Sequence, residues 1–361
     1  MKSTFFKPKN RPEDLNDGIK TSTLKKEGID EAIINKIVAA INSGFYPNIH
    51  SLLIYKNEKL VFENYFSGRD QIWGQDLGVI SHNEPDLHDV RSISKSVVSA
   101  CVGIAINKGL IKDVKQPISL FFEEYQYLFE GLKKDITIEH LLTMSAGFEW
   151  DESSSYDNSA ENNKIQMNLS PDPIAFVLNR PMVVAPGKKW EYNGGATQLL
   201  AAIIQKVSGK KINEFANEFI FKPLGIQNYD WICLIGTTNP AAASGLRLRS
   251  RDMLKFAILY LKEGKWKGVQ VIPKAWVIES LIPKIEYPEG SYGYKFWMWN
   301  NEVKKQIFPV IAAAGNGDQR IYLDHKNSLI VVCTAGNYNN SNVRNNSNQI
   351  LKKIYSAFPF S

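Results

Sequence analysis

The chain has 361 residues, of which 44% are hydrophobic and 22% are charged, and its formal net charge is +6. This length allows one large domain, or two intimate ones, with a sizeable buried core. The basic residues are dispersed, without a run of like charge, which argues against a nucleic-acid partner. No apolar run approaches the roughly 20 residues that span a bilayer, so no membrane span is expected.

Three cysteines, Cys101, Cys233 and Cys333, lie in apolar stretches of sequence and are expected to be buried thiols. Their odd number indicates no disulfide framework. Residues 1–8 lack the apolar segment of a secretory signal. The sequence therefore leaves two localisations open: cytoplasmic if the chain is complete, periplasmic or secreted if a signal peptide was removed.

The N-terminal third predicts a helix followed by a hairpin. Residues 31–43 carry apolar side chains at helical spacing. Residues 51–55 and 60–66 are rich in strand-forming side chains and are separated by a polar turn, which is typical of a β-hairpin. Residues 67–88 are polar and are predicted to form a long loop.

Residues 89–96 predict an extended segment that changes into a helix at Ser92. Lys95 follows three residues later, on the same helix face, so its amine can reach the serine hydroxyl. The start of the helix adds free N–H groups and partial positive charge. A hydroxyl beside a base is the arrangement of an activated nucleophile.

The Ser-x-x-Lys spacing alone is weak evidence, because it occurs three times in this chain. The other two matches are Ser22 with Lys25 and Ser208 with Lys211. Neighbouring motifs must therefore decide which match matters.

The remainder of the chain is helical and loop-rich to about residue 265 and then returns to strands. Residues 196–209 predict an amphipathic helix that ends at a glycine, and residues 346–358 predict a closing helix. Strands are predicted within residues 293–299, 310–314, 320–323 and 329–333. The pattern predicts an α+β fold: an antiparallel sheet from residues 1–112 and 266–361, flanked by helices, with a mostly helical domain, 113–265, inserted and the active site between them.

Several motifs accompany Ser92 and Lys95 in a defined order: His140–Gly147, Pro186–Gly195, Phe221–Gly225, Gly245–Asp252 and Gly315–Gln319. Together they resemble the serine β-lactamase and penicillin-binding-protein superfamily over about residues 45–361. Within it, the class C-like esterases and the 6-aminohexanoate-dimer (nylon oligomer) hydrolases are the most similar. The resemblance implies a β-lactamase/transpeptidase-like fold and selects Ser92 and Lys95 over the other two pairs.

The resemblance also implies a catalytic tyrosine, usually in Tyr-x-Asn, about a hundred residues after the serine. Tyr192 has this position, although Gly194 stands where the asparagine is expected. Amide-hydrolysing relatives also lack that asparagine. Literal Tyr-x-Asn matches at Tyr55 and at Tyr156 compete with Tyr192, but the first lies in the hairpin and the second in a polar loop.

The third element of the family is a Lys-Thr-Gly or His-x-Gly strand, which is missing here. Residues 311–314, leading into Gly315, Asn316 and Gly317, occupy that position instead. The resemblance implies an oxyanion hole formed by the backbone N–H groups of Ser92 and Asn316. Asp318 follows as either a substrate contact or a turn aspartate. Residues considered for substrate binding are Trp150, Tyr156, Gly315, Gly317 and Asp318.

Absent motifs narrow the function. There is no Gly-x-Ser-x-Gly elbow of an α/β-hydrolase. The five histidines (50, 82, 88, 140 and 325) show no metal-ligand spacing, so no metal and no cofactor are expected. The prediction is a serine hydrolase that cleaves small-molecule esters or amides, as a monomer or homodimer. A β-lactamase or D-amino-peptide hydrolase, and a penicillin-binding-like sensor without turnover, stay open as alternatives.

Overall fold

The computed structural model describes residues 11–153, 161–340, 343 and 345–359. Its strands, in chain order, are β1 (Ile49–Lys56), β2 (Lys59–Tyr65), β3 (Ser67–Ile72), β4 (Gln75–Ser81), β5 (His88–Asp89), β6 (Asp230–Trp231), β7 (Leu246–Leu248), β8 (Lys265–Trp266), β9 (Val269–Gln270), β10 (Ile285–Tyr287), β11 (Gly290–Tyr292), β12 (Trp297–Val303), β13 (Gln306–Gly315), β14 (Gln319–Asp324) and β15 (Leu329–Ala335).

The α-helices are α1 (Glu31–Asn42), α2 (Ser94–Asn107), α3 (Ile138–Leu142), α4 (Asn163–Leu169), α5 (Pro173–Asn179), α6 (Gly194–Ser208), α7 (Ile212–Ala216), α8 (Lys222–Leu224), α9 (Ser250–Leu261), α10 (Lys274–Ser280) and α11 (Asn346–Ser356). Short 3-10 turns lie at Lys25–Glu27, Arg91–Ile93, Ile118–Phe121, Glu123–Leu128 and Gly131–Asp135, and a π-helical turn lies at Asn217–Phe221.

The main sheet is antiparallel and is built from both ends of the chain. Its order is β10-β11-β12-β13-β14-β15-β1-β2, so β1 pairs with β15 on one side and with β2 on the other. Leu53, for example, lies opposite Val332 of β15 and opposite Glu63 of β2. The predicted sheet from both termini is thereby confirmed.

Helices cover both faces of this sheet. Successive side chains of a strand point to opposite faces, so neighbouring residues of β1 pack against different helices. Leu52 packs in one core with α1 and α11, whereas Leu53 packs in the other with α2 and α9. Helix α9 contacts β1, β14 and β15, although it lies within the stretch 113–265 predicted as the inserted domain. The domain division itself stays a prediction.

The hairpin of residues 51–66 is confirmed by β1 and β2, with Asn57 and Glu58 in the left-handed region at the turn. The prediction of a loop for residues 67–88 was wrong, since β3 and β4 form a second hairpin there. β4 is mostly exposed, so its sequence carries little apolar alternation from which a strand could be recognised.

Two of the three cysteines match the expectation of burial. Cys101 and Cys333 are buried, but Cys233 is exposed, which corrects the prediction for that residue. Among the helices that the structure describes, none combines the length and apolar character that crossing a bilayer requires.

Candidate active site

Ser92 lies in the tight turn Arg91–Ile93 that leads directly into α2, as the sequence predicted. Ser94 fixes this turn: its hydroxyl donates to the Arg91 carbonyl at 2.6 Å and accepts from the Leu246 N–H at 3.2 Å. The turn is therefore bound to β7 as well as to its own helix. Ser92 and Arg91 stay partly accessible, whereas Val90 and Ile93 on either side of them are buried.

Lys95 points back at this serine. Its Nζ lies 2.9 Å from Ser92 Oγ and donates to the Ala243 carbonyl at 3.0 Å. The side chain is buried, and burial lowers the pKa of Lys95 to about 8, while the negative charge of Glu152 opposes that shift. An amine with such a pKa is partly neutral near pH 7 and can accept a proton.

Tyr192 lies beside both Ser92 and Lys95. Lys95 Nζ lies 4.7 Å from the centre of the Tyr192 ring. Burial raises the pKa of the Tyr192 phenol above its ordinary value, and Glu152 adds to the rise, whereas a hydrogen bond with Ser92 acts in the opposite direction. The phenol thus keeps its proton at neutral pH, which suits a group that relays protons rather than a base.

The other two Ser-x-x-Lys pairs do not form such a contact. Ser22 Oγ donates to Glu27, and Ser208 Oγ donates to the Ile204 carbonyl. Lys211 Nζ donates to Thr238 instead of to Ser208. Of the three matches, only Ser92 with Lys95 is linked by a hydrogen bond in the part of the chain that the structure describes.

Glu152 is a buried carboxylate of the site that sequence reasoning missed. Its Oε2 accepts from the Gly194 N–H at 2.6 Å and from Trp150 Nε1 at 3.1 Å. Its Oε1 lies 3.9 Å from Lys95 Nζ and 3.8 Å from Lys164 Nζ. The carboxylate therefore connects the lysine of the pair to the segment that carries the tyrosine.

Gly194 is what makes room for this carboxylate. A Cβ at position 194 would lie 2.8 Å from Glu152 Oε2, which is shorter than the distances that Cβ atoms keep from other heavy atoms in proteins. The glycine at the third position of the tyrosine motif is thus the sequence signal for Glu152. A larger residue there, such as the family's asparagine, would need the space that Glu152 occupies.

Lys295 is a second buried amine near the site, also missed. Its Nζ donates to the Leu141 carbonyl at 2.6 Å and approaches Met144 Sδ at 3.2 Å. Burial lowers the pKa of Lys295 well below its usual value, the charge of Lys95 lowers it further, and Glu152 opposes both. Its amine ties residues 141–144 to the loop before β12.

The end of β13 lies against the turn of the serine. A Cβ on Gly315 would come within 2.3 Å of the Val90 carbonyl, so the close approach requires glycine there. The side chain of Asn316, the next residue, pairs with that of Asn339. This arrangement brings the backbone after β13 to the side of Ser92.

Asp318 points away from this edge. Its side chain is fully buried, and its Oδ2 accepts from the N–H of Ser347 at 2.9 Å, near the start of α11. Its φ of 72° is in the left-handed region, as expected for a turn residue. Gly317, with a φ of 87°, packs against Tyr338.

The remaining substrate-binding candidates have different outcomes. Trp150 is buried, stacks edge-on with Phe176 and donates to Glu152, so it acts as packing and support. Tyr156 lies outside the described residues. Beside Tyr192, the structure gathers four other aromatic rings, those of Trp190, Tyr287, Tyr292 and Trp297.

Three of the five histidines converge, although their spacing in the sequence indicated no metal site. His50, His82 and His88 form one buried group with Asp70. They come from different strands or strand ends, so they do not form a compact sequence motif. The fourth, His140, caps α3 through Thr137.

The antiparallel sheet is built from both ends of the chain, and a Ser–Lys pair lies beside it at the start of a helix. This arrangement defines a β-lactamase/transpeptidase-like fold. The Beta-lactamase family model matches residues 50–289, which is more than half of the chain. The protein belongs to the Beta-lactamase family.

Known proteins agree with this assignment. A 6-aminohexanoate-dimer hydrolase of Paenarthrobacter ureafaciens is 23% identical over 267 residues, covering 68% of this chain and 65% of the relative, so the chain spans just under two thirds of that protein. A Bacillus anthracis protein, provisionally named 6-aminohexanoate-dimer hydrolase, has a TM-score of 0.70 at 22% identity, covering 88% and 82% of the two chains. EstCE1, a hydrolase with promiscuous acyltransferase activity, has a TM-score of 0.67 at 15% identity, covering 90% and 97%. These structures show the same fold.

Proposed function

We propose that this protein is a serine hydrolase that cleaves ester or amide bonds of small molecules through an acyl-Ser92 intermediate. The observation that carries the proposal is the buried Lys95 amine, 2.9 Å from Ser92 Oγ and with its pKa lowered to about 8. A buried amine beside a hydroxyl is the requirement for generating the nucleophile. The names of the relatives, which include a hydrolase of an amide dimer, are consistent with this chemistry.

In the first half of the reaction, neutral Lys95 takes the Ser92 proton as Oγ attacks the substrate carbonyl carbon. Tyr192 then donates its phenolic proton to the leaving oxygen or nitrogen and regains one from Lys95, and the bond to the leaving group breaks. In the second half, water loses a proton through the same groups and attacks the acyl carbon, which releases Ser92. Each proton is returned, so the cycle needs no cofactor.

The negative oxygen of the tetrahedral intermediate needs donors. The backbone N–H groups of Ser92 and Asn316 are proposed for this role, because Gly315 brings the end of β13 against the carbonyl of Val90, two residues before the serine. One donor of this kind contributes about 2.7–4 kcal/mol to the transition state in comparable enzymes.

The acyl or leaving group is proposed to lie against the aromatic rings beside Tyr192. The Trp297 ring is 5.4 Å from that of Tyr192, and Trp190 is 5.5 Å from Trp297. Such a wall favours apolar, extended substrates over strongly charged ones. The family's Lys-Thr-Gly or His-x-Gly strand is missing from this chain. Without its lysine or histidine, recognition of a β-lactam carboxylate is disfavoured, which agrees with a preference for uncharged substrates.

The test is the variant Ser92→Ala on p-nitrophenyl esters, linear amides and nitrocefin, with Ser208→Ala as the matched control from an inert Ser-x-x-Lys pair. We expect Ser92→Ala to lose at least about a thousandfold in kcat/KM for esters, while Ser208→Ala stays within about twofold of the parent protein. Full activity of folded Ser92→Ala would refute the assignment.

Intact-mass spectrometry of the parent protein separates the alternatives. A transient acyl adduct on Ser92 followed by return of the free mass supports the hydrolase. A persistent adduct after β-lactam treatment, without ester turnover, would favour a penicillin-binding-like sensor. Nitrocefin turnover as fast as that of esters would favour a β-lactamase.

A further inference from the structure

Four buried side chains with metal-binding atoms meet behind the turn of the serine. His50 lies in β1, Asp70 in β3, His82 directly after β4 and His88 in β5; we call these four residues the histidine cluster. One ligand atom of each lies within 4.8 Å of those of the others. Their exposed fractions are 0%, 5%, 6% and 0%, so the cluster is closed to solvent.

The ring nitrogens of the histidine cluster are poorly satisfied by the protein alone. His50 Nε2 lies 2.8 Å from the Arg69 carbonyl and must donate to it, which leaves a lone pair on Nδ1. That Nδ1, and both nitrogens of His82 and of His88, have no hydrogen-bond partner among the described residues. A buried polar atom without a partner costs about 1–3 kcal/mol, so five of them need an explanation.

Two of these nitrogens lie near the Asp70 carboxylate. His50 Nδ1 lies 3.9 Å from Asp70 Oδ1, and His82 Nε2 lies 3.8 Å from Asp70 Oδ2. The rings of His50 and His88 are 5.5 Å apart, and those of His82 and His88 are 5.0 Å apart. Ligand atoms of a tetrahedral zinc site with bonds of about 2.0–2.1 Å are about 3.3 Å apart. The separations of 3.8 and 3.9 Å would therefore shorten by about half an ångström, and no pair of ligand atoms by more than about 1.5 Å.

Residues around the cluster already orient its members as outer-shell groups orient metal ligands. The Arg69 carbonyl fixes the tautomer of His50. Asp70 Oδ1 accepts from the Gln71 N–H at 2.8 Å and from the Tyr338 hydroxyl at 3.3 Å, which leaves Oδ2 directed at His82. Such partners normally accompany protein metal ligands.

We propose that His50, Asp70, His82 and His88 bind one Zn²⁺ ion in a closed, four-coordinate structural site. Three imidazole nitrogens and one carboxylate oxygen are ligands that zinc accepts, and a site with four protein ligands leaves no position for substrate.

The ion would link the β3–β4 hairpin to β5, the strand that leads to Ser92. His88 precedes Ser92 by four residues, and the adjacent Asp89 accepts from the Trp73 N–H of the hairpin turn at 2.7 Å. Tyr338, which donates to Asp70, also stacks on Arg91, with 4.9 Å between the guanidinium carbon and the ring centre. The site would thus support the turn of Ser92 without contacting substrate.

The test measures metal content of the full chain, purified without chelator, by inductively coupled plasma mass spectrometry. We expect about one zinc per chain in the parent protein and less than about a tenth of that in His82→Gln. His325→Gln, which changes an exposed histidine outside the cluster, is the matched control and should keep its zinc.

A second measurement covers the case in which His82→Gln fails to fold. The parent protein is stripped with a chelator, and Co²⁺ is added while the visible spectrum and the melting temperature are followed. Intense absorption of tetrahedral Co²⁺ and a rise in melting temperature support the site. Parent protein that contains no zinc and gives neither response to Co²⁺, or zinc retained in folded His82→Gln, would overturn the proposal.

Discussion

Replacing Glu152 by glutamine tests the electrostatic control of the proposed base. Glutamine keeps the shape of the side chain and can still accept from the Gly194 N–H, but it removes the charge 3.9 Å from Lys95 Nζ. Because that charge favours protonated Lys95, its loss lowers the pKa of the lysine below about 8. The neutral, reactive form of Lys95 then persists to lower pH.

The distance gives the size of the effect. At 3.9 Å, opposite unit charges attract by about 1 kcal/mol at the dielectric constant of water and by about 4 kcal/mol at an effective value near 20. One pKa unit corresponds to about 1.4 kcal/mol, so the pKa should fall by about one to three units. The plateau rate should also fall, because a less basic amine is a weaker proton acceptor.

The assay is the pH dependence of kcat/KM for an ester, whose acidic limb reports the base of the free enzyme. We expect the limb near pH 8 in the parent protein and between about pH 5 and 7 in Glu152→Gln. The control is Glu149→Gln, which removes a half-exposed carboxylate paired with Arg180 and should leave the limb in place.

Two results would refute this reasoning. One is a limb in folded Glu152→Gln that lies within about 0.3 pH unit of the parent's, far less than the shift calculated from Coulomb's law. The other is a shift to higher pH, which would mean that Glu152 does not stabilise protonated Lys95. The rate of acylation by a fluorophosphonate, followed by intact mass, gives the same limb without a turnover assay.

Two further predictions concern stability. Gly194→Asn should lower the free energy of unfolding by about 1–3 kcal/mol in urea titrations, because its side chain meets Glu152. The same substitution made in a Glu152→Ala background should cost much less. Burial lowers the pKa of Lys295, so the unfolded chain binds its proton more tightly, and stability should fall as pH falls from about 10 towards neutral, by up to about 1.4 kcal/mol per unit. Lys95, whose pKa is also lowered, contributes to the same slope, so Lys295→Met should reduce the slope without abolishing it. A slope that persists unchanged, as expected for the exposed Lys274→Met, would contradict the assignment.

The local part of the site could be predicted because its geometry is contained in a few consecutive residues. Ser92 and Lys95 are three positions apart at the start of a helix, so the hydrogen bond between them follows from helical geometry. The same argument failed for Ser208 and Lys211, which have the spacing without the helix start. The spacing of two residues in the sequence predicts a contact between their side chains only where the backbone conformation is known.

The long-range part of the site could not be predicted in this way. Glu152 reaches Lys95 from a separate segment, and its only trace in the sequence is the glycine at position 194, where its carboxylate takes the space of a side chain. That glycine is visible in the sequence, but the sequence does not indicate which residue packs against it. An absent side chain indicates a close approach without identifying what approaches.

The histidine cluster was missed for a related reason. Its four residues lie 6 to 38 positions apart, between His50 and His88, and meet only when β1, β3 and β5 are assembled. The β3–β4 hairpin that supplies Asp70 was itself predicted as a loop. A motif search recognises ligands on one helix or turn, not ligands brought together by strand pairing.

The backbone of Arg91 shows how these distant groups act on the nucleophile. Its φ of 49° is unusual for a residue with a side chain, and a conformation of this kind costs about 1–3 kcal/mol and persists only when its surroundings enforce it. Arg91 pairs with Asp89 at 3.1 Å and lies between the rings of Trp73 and Tyr338, at 5.2 and 4.9 Å. One ring belongs to the turn of the β3–β4 hairpin, and the other is bonded to the histidine cluster. The direction of the Ser92 hydroxyl is therefore set as much by the hairpin and the cluster behind the turn as by the helix that follows it.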